Sequence, residues 1–274
     1  MYKNPFIFIM AFAIICIVPN TSTLQESAST YKPTTLHLKD LTWPQIVIAI
    51  NNGYQSVLVP TGGIEQNGHH MITGKHDYIV QYASQMIASE LDDTLIAPVV
   101  SFVPEGSFEP KTENMKFPGT IGISEQAFSL LLEGIARSLK NTGFKQIYFL
   151  GDHGGSIATQ EQVASKLSQE WLKDQVSVHS ISTYYHAGDQ QQTYLLSQGY
   201  SPSQIGDHAG MLDTSELMFI NPTGVNLYAL NSNSLPQYLR GDSGSAHFSS
   251  ADIGKLLIKI KVQAAIAQIK LSRK

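Results

Sequence analysis

The chain has 274 residues, of which 42% are hydrophobic, and a formal net charge of −4. That length and apolar content are enough for one sizeable α/β core. The charge is weakly negative, and lysine and arginine do not cluster anywhere in the chain, which argues against nucleic acid as a partner.

An export signal is predicted for residues 1–23. Lys3 precedes an apolar run, residues 5–18, that is too short to span a membrane comfortably. An uncleaved anchor and a lipoprotein signal are the alternatives, although Ile15 is too bulky for the position before a lipid-modified cysteine. Cys16 is the only cysteine, so the mature chain would have neither a disulfide nor a thiol nucleophile. We therefore expect an exported protein, periplasmic or secreted, with no membrane partner after the signal is removed.

The mature chain is predicted to start with a loose Ser/Thr-rich segment, residues 24–36, and to continue as one domain over residues 37–274. Hydrophobic periodicity predicts helices and strands that alternate along the chain. The predicted helices are residues 43–51, 77–91, 124–142, 159–173 and 251–272, and the predicted strands are residues 56–59, 95–102, 146–150 and 176–185. Such alternation favours a parallel sheet. On the last helix, Lys255, Lys259 and Lys261 are expected on the solvated face.

The segment that follows the first predicted strand carries the strongest chemical signal. Glycines at positions 62, 63, 68 and 74 let the backbone turn sharply, and one glutamate and three histidines lie within twelve residues of one another. These acidic and imidazole side chains are Glu65, His69, His70, His76 and Asp77. Carboxylates and imidazoles just past a strand end are ligands that a divalent metal requires. The alternative is a polar surface loop that happens to contain histidines.

Two further clusters of glycine, histidine and acidic residues lie at positions 151–156 and 206–216. The first of them again comes directly after a predicted strand. Because open α/β sheets bind their ligands at the carboxyl ends of parallel strands, we expect the three clusters to meet in one site.

These motifs resemble the creatininase family (creatinine amidohydrolase and relatives). The resemblance begins near Leu-Thr-Trp-Pro at residues 41–44 and continues through Pro-Thr-Gly-Gly-Ile-Glu-Gln-Asn-Gly at residues 60–68. Further blocks follow in the family's order at residues 117–120, 151–156, 207–215 and 241–244. The resemblance implies a single-domain α/β fold, in which a mostly parallel sheet is flanked by helices on both faces. It also implies a hydrolytic site with two metal ions, and family members often assemble as homo-oligomers.

The family's ligand pattern is only partly present. Glu65 matches the family's glutamate ligand, and His153 matches a later histidine ligand. Asn67 replaces the first histidine of the usual Glu-Gln-His-Gly-Pro-His block, while His70 matches the second. His76 stands where the family has a bridging aspartate, with Asp77 beside it.

Two other positions also depart from the family's pattern. Gly155 lies where creatininase itself has a glutamate ligand, and Asp213 replaces a glutamate before Thr-Ser. A neutral imidazole does not bridge two cations as a carboxylate does, and asparagine is a poor ligand for zinc-like ions. We therefore expect one tight site for a divalent ion, zinc or alternatively manganese, built from Glu65, His76 and His153. A second site would be weak, or would be rebuilt with Asp77 or Asp213.

Glu65 and His208 are the candidate catalytic residues. An imidazole titrates near neutral pH and can protonate a departing amine, a role that the family resemblance also implies for His208. The alternative is a structural histidine bonded to the backbone. The candidate substrate contacts are His70, Asn67, Glu113 and Asp207, of which Glu113 could equally be an ordinary surface residue.

The sequence thus predicts an exported, metal-dependent hydrolase of a non-peptide C–N bond in a small amide or cyclic amide. The metal would polarise the carbonyl and supply hydroxide near neutral pH. The alternatives are a degenerate or purely ligand-binding member of the family, which Asn67 and His76 favour, and a peptidase-like relative. Loss of activity on chelation and its return with metal would separate a hydrolase from a binding protein.

Overall fold

Four parallel strands form the centre of the structure, a computed structural model that describes residues 31–231 and 241–273. The strands are β1 (Ser56–Thr61), β2 (Thr94–Ile96), β3 (Gln146–Gly151) and β4 (Ser177–Ser180), and their order in the sheet is β2-β1-β3-β4. Every strand pairing is parallel, which confirms the predicted fold class. The predicted signal, residues 1–23, and the first part of the segment 24–36 lie outside the described residues.

Helices connect and flank the strands. They are α1 (Trp43–Asn51), α2 (Lys75–Leu91), α3 (Glu125–Thr142), α4 (Gly154–Glu170), α5 (Ser182–Ser197), α6 (Pro202–Ile205), α7 (Met211–Ile220), α8 (Leu227–Leu230) and α9 (Ala251–Ser272). Short 3-10 turns lie at Leu38–Asp40, Glu113–Lys116, Leu172–Asp174, Pro222–Gly224 and Ala246–Phe248. Among the described residues, no helix has the length and apolar character that a membrane span requires.

The two central strands, β1 and β3, are buried at almost every position, as expected for parallel strands covered on both faces. Successive side chains point to opposite faces. Leu58, Tyr148 and Leu150 pack with the buried faces of α2 and α9 in one hydrophobic cluster. Their neighbours in sequence point to the other face, where α4 packs against β3 and β4 and α3 packs against α4.

The helix predicted over residues 159–173 begins five residues early, as α4 (Gly154–Glu170), whereas α3 matches its prediction because its ends carry strong signals. Ser124 accepts a hydrogen bond from the backbone N–H of Ala127 at the start of α3. Gly143 ends the same helix with a φ of 117°, in the left-handed region that glycine adopts without strain. The last helix, α9, also has the predicted bounds, and Ser250 caps it.

Two strand predictions were too long. The strand predicted over residues 95–102 ends at Ile96, because Pro98 has no N–H to donate to the ladder. Beyond it, Val100 pairs again with β1 in an isolated bridge to Thr61. The strand predicted over residues 176–185 ends at Ser180, and α5 begins at Ser182.

The topology brings the three clusters of the sequence together. In the register of the sheet, Thr61 of β1 lies opposite Gly151 of β3. The loop after β1 and the short segment before α4 therefore leave the sheet side by side. The third cluster, residues 206–216, was expected as a loop but continues into α7, which packs closely against α9. A side chain at Gly254 would strike the carbonyl oxygen of Ser215, so glycine is required at this crossing.

Candidate metal centre and active site

A cavity of about 360 Å³ lies beyond the carboxyl ends of β1 and β3. Its lining is mostly polar or charged and comes from the loop after β1, the first turns of α2 and α4, and the helices α5, α7 and α9. The site residues predicted from sequence that line it are Glu65, His76, Glu113, His153, Asp207, His208 and Asp213. A cavity of this size and polarity suits a small polar ligand.

The carboxylate of Glu65 lies at the centre of the predicted ligand set. Its Oε1 atom is 2.7 Å from Nε2 of His76, and its Oε2 atom is 3.1 Å from Nε2 of His153. The two imidazole rings meet edge to face, with their centroids 5.3 Å apart. Glu65 comes from the loop after β1, His76 from the first turn of α2, and His153 from the residue before α4. The structure therefore brings together the three residues expected to bind a metal.

Glu105 is a further carboxylate that the sequence did not single out as a ligand. It is completely buried, and its Oε2 atom lies 3.0 Å from Nε2 of His153. The side-chain amide of Asn114 donates hydrogen bonds to both Glu65 and Glu105. The only sequence signal for Glu105 was its place in an irregular segment of the length that often carries function.

Opposite charges, not burial, decide the protonation of this group. Burial alone would raise the pKa of Glu65, but His76, His153 and Lys75 hold it well below its ordinary value. Burial would likewise lower the pKa of His153, yet its hydrogen bonds to Glu105 and Glu65 raise that pKa to about 9. The Glu65 carboxylate is therefore ionised and the His153 imidazole carries a proton when only protein groups are present.

His76 also belongs to a second set of buried charges. Its Nδ1 atom is 2.7 Å from Oδ2 of Asp152. The other oxygen of Asp152 accepts hydrogen bonds from the Tyr184 hydroxyl at 2.8 Å and from Nζ of Lys261 at 2.5 Å. Lys261 also lies 3.5 Å from Glu216. Asp152 thus fixes the orientation of the His76 ring with its Nε2 atom towards Glu65.

The expectation of a solvated Lys261 was wrong. Its side chain is 9% exposed, whereas Lys255 and Lys259 are exposed as expected. The apolar stripe of α9 includes position 261, but a periodicity argument does not identify buried acidic partners contributed by β3 and α7. Burial opposes the charged ammonium, but Asp152 and Glu216 more than offset it and raise the pKa of Lys261.

Asp213 is paired with a buried lysine. Nζ of Lys75 lies 3.1 Å from Oδ1 of Asp213 and 3.9 Å from Oε1 of Glu65, and the lysine side chain is 1% exposed. Burial would raise the pKa of Asp213, but Lys75 lowers it below its ordinary value. An ammonium group thus stands beside the position where Asp213 was expected to rebuild a second metal site, and the sequence had not singled out Lys75.

The structure places Asp77 away from the cavity. Its carboxylate accepts hydrogen bonds from the backbone N–H of Gly63 at 3.2 Å and from the Ser101 hydroxyl at 2.5 Å. A side chain at Gly62 would overlap the Asp77 carboxylate. Asp77 therefore holds the turn after β1 and does not join Glu65 in a common ligand set.

Asn67 and His70 were expected as substrate contacts, but they lie behind the cavity wall. The amide nitrogen of Asn67 is within hydrogen-bond distance of the backbone carbonyls of Glu65, Ile72 and Thr73. His70 is 2% exposed, and its Nε2 atom lies 2.9 Å from the hydroxyl of Thr214. Asn67 thus closes the loop that presents Glu65.

His208 lies on the cavity wall beside Gln66. The backbone N–H of Gly68 donates to Oε1 of Gln66, which orients the Gln66 amide nitrogen towards Nε2 of His208 at 2.7 Å. The backbone carbonyl of Gln66 lies 3.0 Å from the same Nε2 atom. Nε2 of His208 therefore has a donor beside it when it is unprotonated and an acceptor when it is protonated. Glu113 and Asp207 also line the cavity, where Asp207 is exposed.

The residues present fit one divalent ion. One donor atom from each of Glu65, Glu105 and His153 lies within 4.8 Å of the other two. His76 adds an imidazole whose Nδ1 atom is held by a carboxylate, the usual arrangement behind a metal-binding histidine. Within the described part of the chain, Oε1 of Glu105 is buried without a hydrogen-bond partner. Because the histidines must give up protons to bind a metal, affinity should rise with pH.

The family model for creatininase, described as creatinine amidohydrolase, matches residues 39–267. The chain belongs to the creatininase family. This confirms the resemblance seen in the motifs of the sequence. The fold agrees, since the crystal structure of creatinine amidohydrolase superimposes with a TM-score of 0.70 at 20% identity, over 87% of this chain and 98% of that one.

Proteins named for different activities resemble this chain. It is 27% identical over 177 residues to the mycofactocin precursor peptide peptidase of Mycolicibacterium smegmatis, a match that covers 62% of this chain and 59% of the peptidase. It is 22% identical over 250 residues to the creatinine amidohydrolase of Pseudomonas putida. That match covers 82% of this chain and 92% of the amidohydrolase. Similar creatininase structures include a Zn-Zn form and a manganese form.

Proposed function

We propose that this protein is a metal-dependent hydrolase of a C–N bond in a small polar amide or cyclic amide. The observation that carries the proposal is the convergence of Glu65, His76 and His153 on the wall of a polar cavity, with Glu105 beside them. Two imidazoles with carboxylates are a donor set that suits zinc and similar ions. The bound ion would polarise the substrate carbonyl and lower the pKa of a water molecule.

The residues around this group supply the remaining chemistry. Lys75 presents a fixed positive charge on the cavity wall beside Glu65, which favours a carbonyl oxygen as it gains negative charge. His208 lines the same cavity and is our candidate donor of the proton that the departing nitrogen requires. Asp207 and Glu113 offer carboxylate oxygens to N–H groups of the substrate.

We further propose that the hydrolytic centre holds one ion tightly rather than two. Asp213, the residue expected to complete a second site, is paired with Lys75, and Asn67 bonds to its own loop. The Lys75 ammonium would provide the positive charge that a second ion brings elsewhere in the family. Zinc is the preferred ion, with manganese as the alternative.

A screen of the purified protein tests the activity. The metal-free protein would be loaded with zinc or with manganese and offered small linear amides, cyclic amides and short peptides, with release of the amine as the readout. We expect turnover of a non-peptide amide that stops on chelation and returns with metal. Cleavage confined to peptides would favour the activity named for the M. smegmatis relative. Ligand-dependent stabilisation without turnover would instead indicate a binding protein.

Replacing His208 with asparagine should reduce turnover about a hundredfold or more, the usual scale for the loss of a general acid or base. Metal content should stay unchanged, because His208 contacts Gln66 and not the Glu65 group. His186, another histidine of the cavity wall, provides the control His186→Asn. Loss of the metal together with activity would make His208 a ligand and refute the proton-transfer role.

We also propose that the protein is exported, on the strength of the apolar run behind Lys3. N-terminal sequencing of protein from the host's envelope should find a mature chain that begins between about Ser22 and Ser27. Soluble cytoplasmic protein with an intact Met1 would refute export.

A further inference from the structure

A second group of metal-type ligands lies outside the hydrolytic cavity. His69, His70 and Asp242 each place one donor atom within 4.8 Å of the other two. None of the three lines the cavity of Glu65. His69 and Asp242 instead line a separate cavity of about 220 Å³. The family resemblance assigns no metal to these positions, and His69 replaces the proline that the family usually has there.

When both rings are neutral, their hydrogen bonds leave both Nδ1 atoms as lone pairs. Nε2 of His69 lies 2.9 Å from the carbonyl oxygen of Ala229, so Nε2 must carry the ring proton. Nε2 of His70 lies 2.9 Å from the Thr214 hydroxyl, whose own hydrogen can go to the carbonyl of Ala209 at 3.4 Å. The His70 proton is then also on Nε2. Burial lowers the pKa of His70 to about 4, so this ring is neutral at physiological pH.

The Nδ1 atom of His69 lies beside a carboxylate, and one donor atom of His70 lies within 4.8 Å of a donor atom of each of the other two residues. Both Nδ1 atoms are buried, and within the described residues neither has a hydrogen-bond partner. Nδ1 of His69 lies 3.6 Å from Oδ2 of Asp242. A buried nitrogen lone pair without a donor costs stability, and so does its repulsion by a neighbouring carboxylate. A cation between the three groups removes both costs.

We propose that His69, His70 and Asp242 bind a divalent transition-metal ion of the zinc class, separate from the hydrolytic centre. Two ligands that are each about 2.0–2.1 Å from one tetrahedral ion lie roughly 3.3 Å apart, close to the 3.6 Å between His69 and Asp242. Two imidazole nitrogens and one carboxylate oxygen suit zinc, cobalt or nickel rather than calcium or magnesium.

The site would hold two loops together near His208. His69 and His70 belong to the loop that carries Gln66, and a side chain at Gly68 would touch both the His70 ring and Asp242. Ser243, next to Asp242, accepts hydrogen bonds from the backbone N–H groups of Asp207 and His208 at 2.7 and 2.9 Å. An ion at this point therefore joins the segment of Asp242 and Ser243, which holds the His208 backbone, to the loop of Gln66, which contacts the His208 ring.

Counting zinc on four forms of the full-length chain tests the proposal. The wild type, His76→Ala, the pair His69→Gln with Asp242→Asn, and the combination of all three would each be loaded with zinc, desalted and analysed by mass spectrometry of the metal. We expect two ions in the wild type, one in His76→Ala, one in the paired variant and none in the combination of all three. The d–d absorption of cobalt should report the same site. The paired variant should lose the part of this absorption that comes from the His69 site, and His76→Ala should keep it.

The control is His247→Gln, because His247 lines the same cavity but does not belong to the ligand group. It should keep the wild-type zinc count. Circular dichroism would check that each variant is folded, and if the paired variant is not, His69→Gln alone serves for the same count. An unchanged zinc count in the folded His69 variants would overturn the proposal. A wild type that binds one ion, lost with His69→Gln, would support this site while refuting the hydrolytic one.

Discussion

Replacing His76 with alanine should remove the tightly bound ion of the hydrolytic centre and reduce amide hydrolysis to background. His76 contributes one of the two imidazoles that approach Glu65, and Asp152 fixes its orientation. Loss of a group that merely orients a ligand already costs about 10–100-fold in metal affinity, so loss of the ligand itself should cost at least as much. Zinc affinity from competition with a chromophoric chelator, measured together with turnover, checks both effects.

His179→Ala is the matched control for this substitution. His179 lies on β4, stacks on Tyr148 and does not line the cavity. It should keep the metal affinity and the turnover of the wild type. An unchanged affinity of the hydrolytic centre for zinc in His76→Ala would contradict the assigned ligand set.

Replacing Lys261 with methionine should destabilise the fold by about 3–5 kcal/mol, the usual cost of removing one partner from a buried ion pair. Methionine fills a similar volume, so the loss comes mainly from charge. Asp152 and Glu216 would be left buried without the ammonium that now contacts both. The free energy of unfolding from urea denaturation of the metal-free protein measures the effect.

Lys259→Met, on the same helix, separates charge from helix propensity. Lys259 is exposed, so its replacement should change the free energy of unfolding by less than about 0.5 kcal/mol. Equal effects of the two substitutions would refute a buried charge network around Asp152.

Lys261→Met should also lose some activity, because Lys261 contacts Asp152 and Asp152 orients His76.

The sequence predicted β1 and β3 well because they are short apolar runs that stop at glycine-rich loops. The bounds of α3 follow from Ser124 and Gly143, which have specific roles at helix ends. By contrast, α5 buries Gln191 among its core residues and so lacks a clear apolar stripe. The strand predicted over residues 176–185 therefore ran on past Ile181 into the first turn of α5. Short apolar runs fit a helix or a strand equally well.

The site was only partly predictable for a related reason. Glu65, His76 and His153 lie at strand and helix ends, where ligand spacing is visible in the sequence. Lys75 and Lys261 looked like ordinary surface lysines, because their acidic partners are distant in the chain: Asp213 for Lys75, and Asp152 and Glu216 for Lys261. Pairings over such separations follow from the packing of α2, α7 and α9, which no local pattern encodes.

The buried lysines change the electrostatics expected of a two-metal site. The group contains the carboxylates of Glu65, Glu105, Asp152, Asp213 and Glu216, together with two ammonium groups and two imidazoles. Its negative charge is therefore already offset in part by groups of the protein itself. The altered ligand positions therefore remain compatible with a charged, buried site.

Anomalous diffraction at the zinc edge, from crystals of the zinc-loaded protein, tests the central claim most directly. The account predicts one strong peak in the cavity, within bonding distance of Glu65 and His153, and no peak between Lys75 and Asp213. Two peaks bridged across the cavity, or no peak beside Glu65, would contradict it.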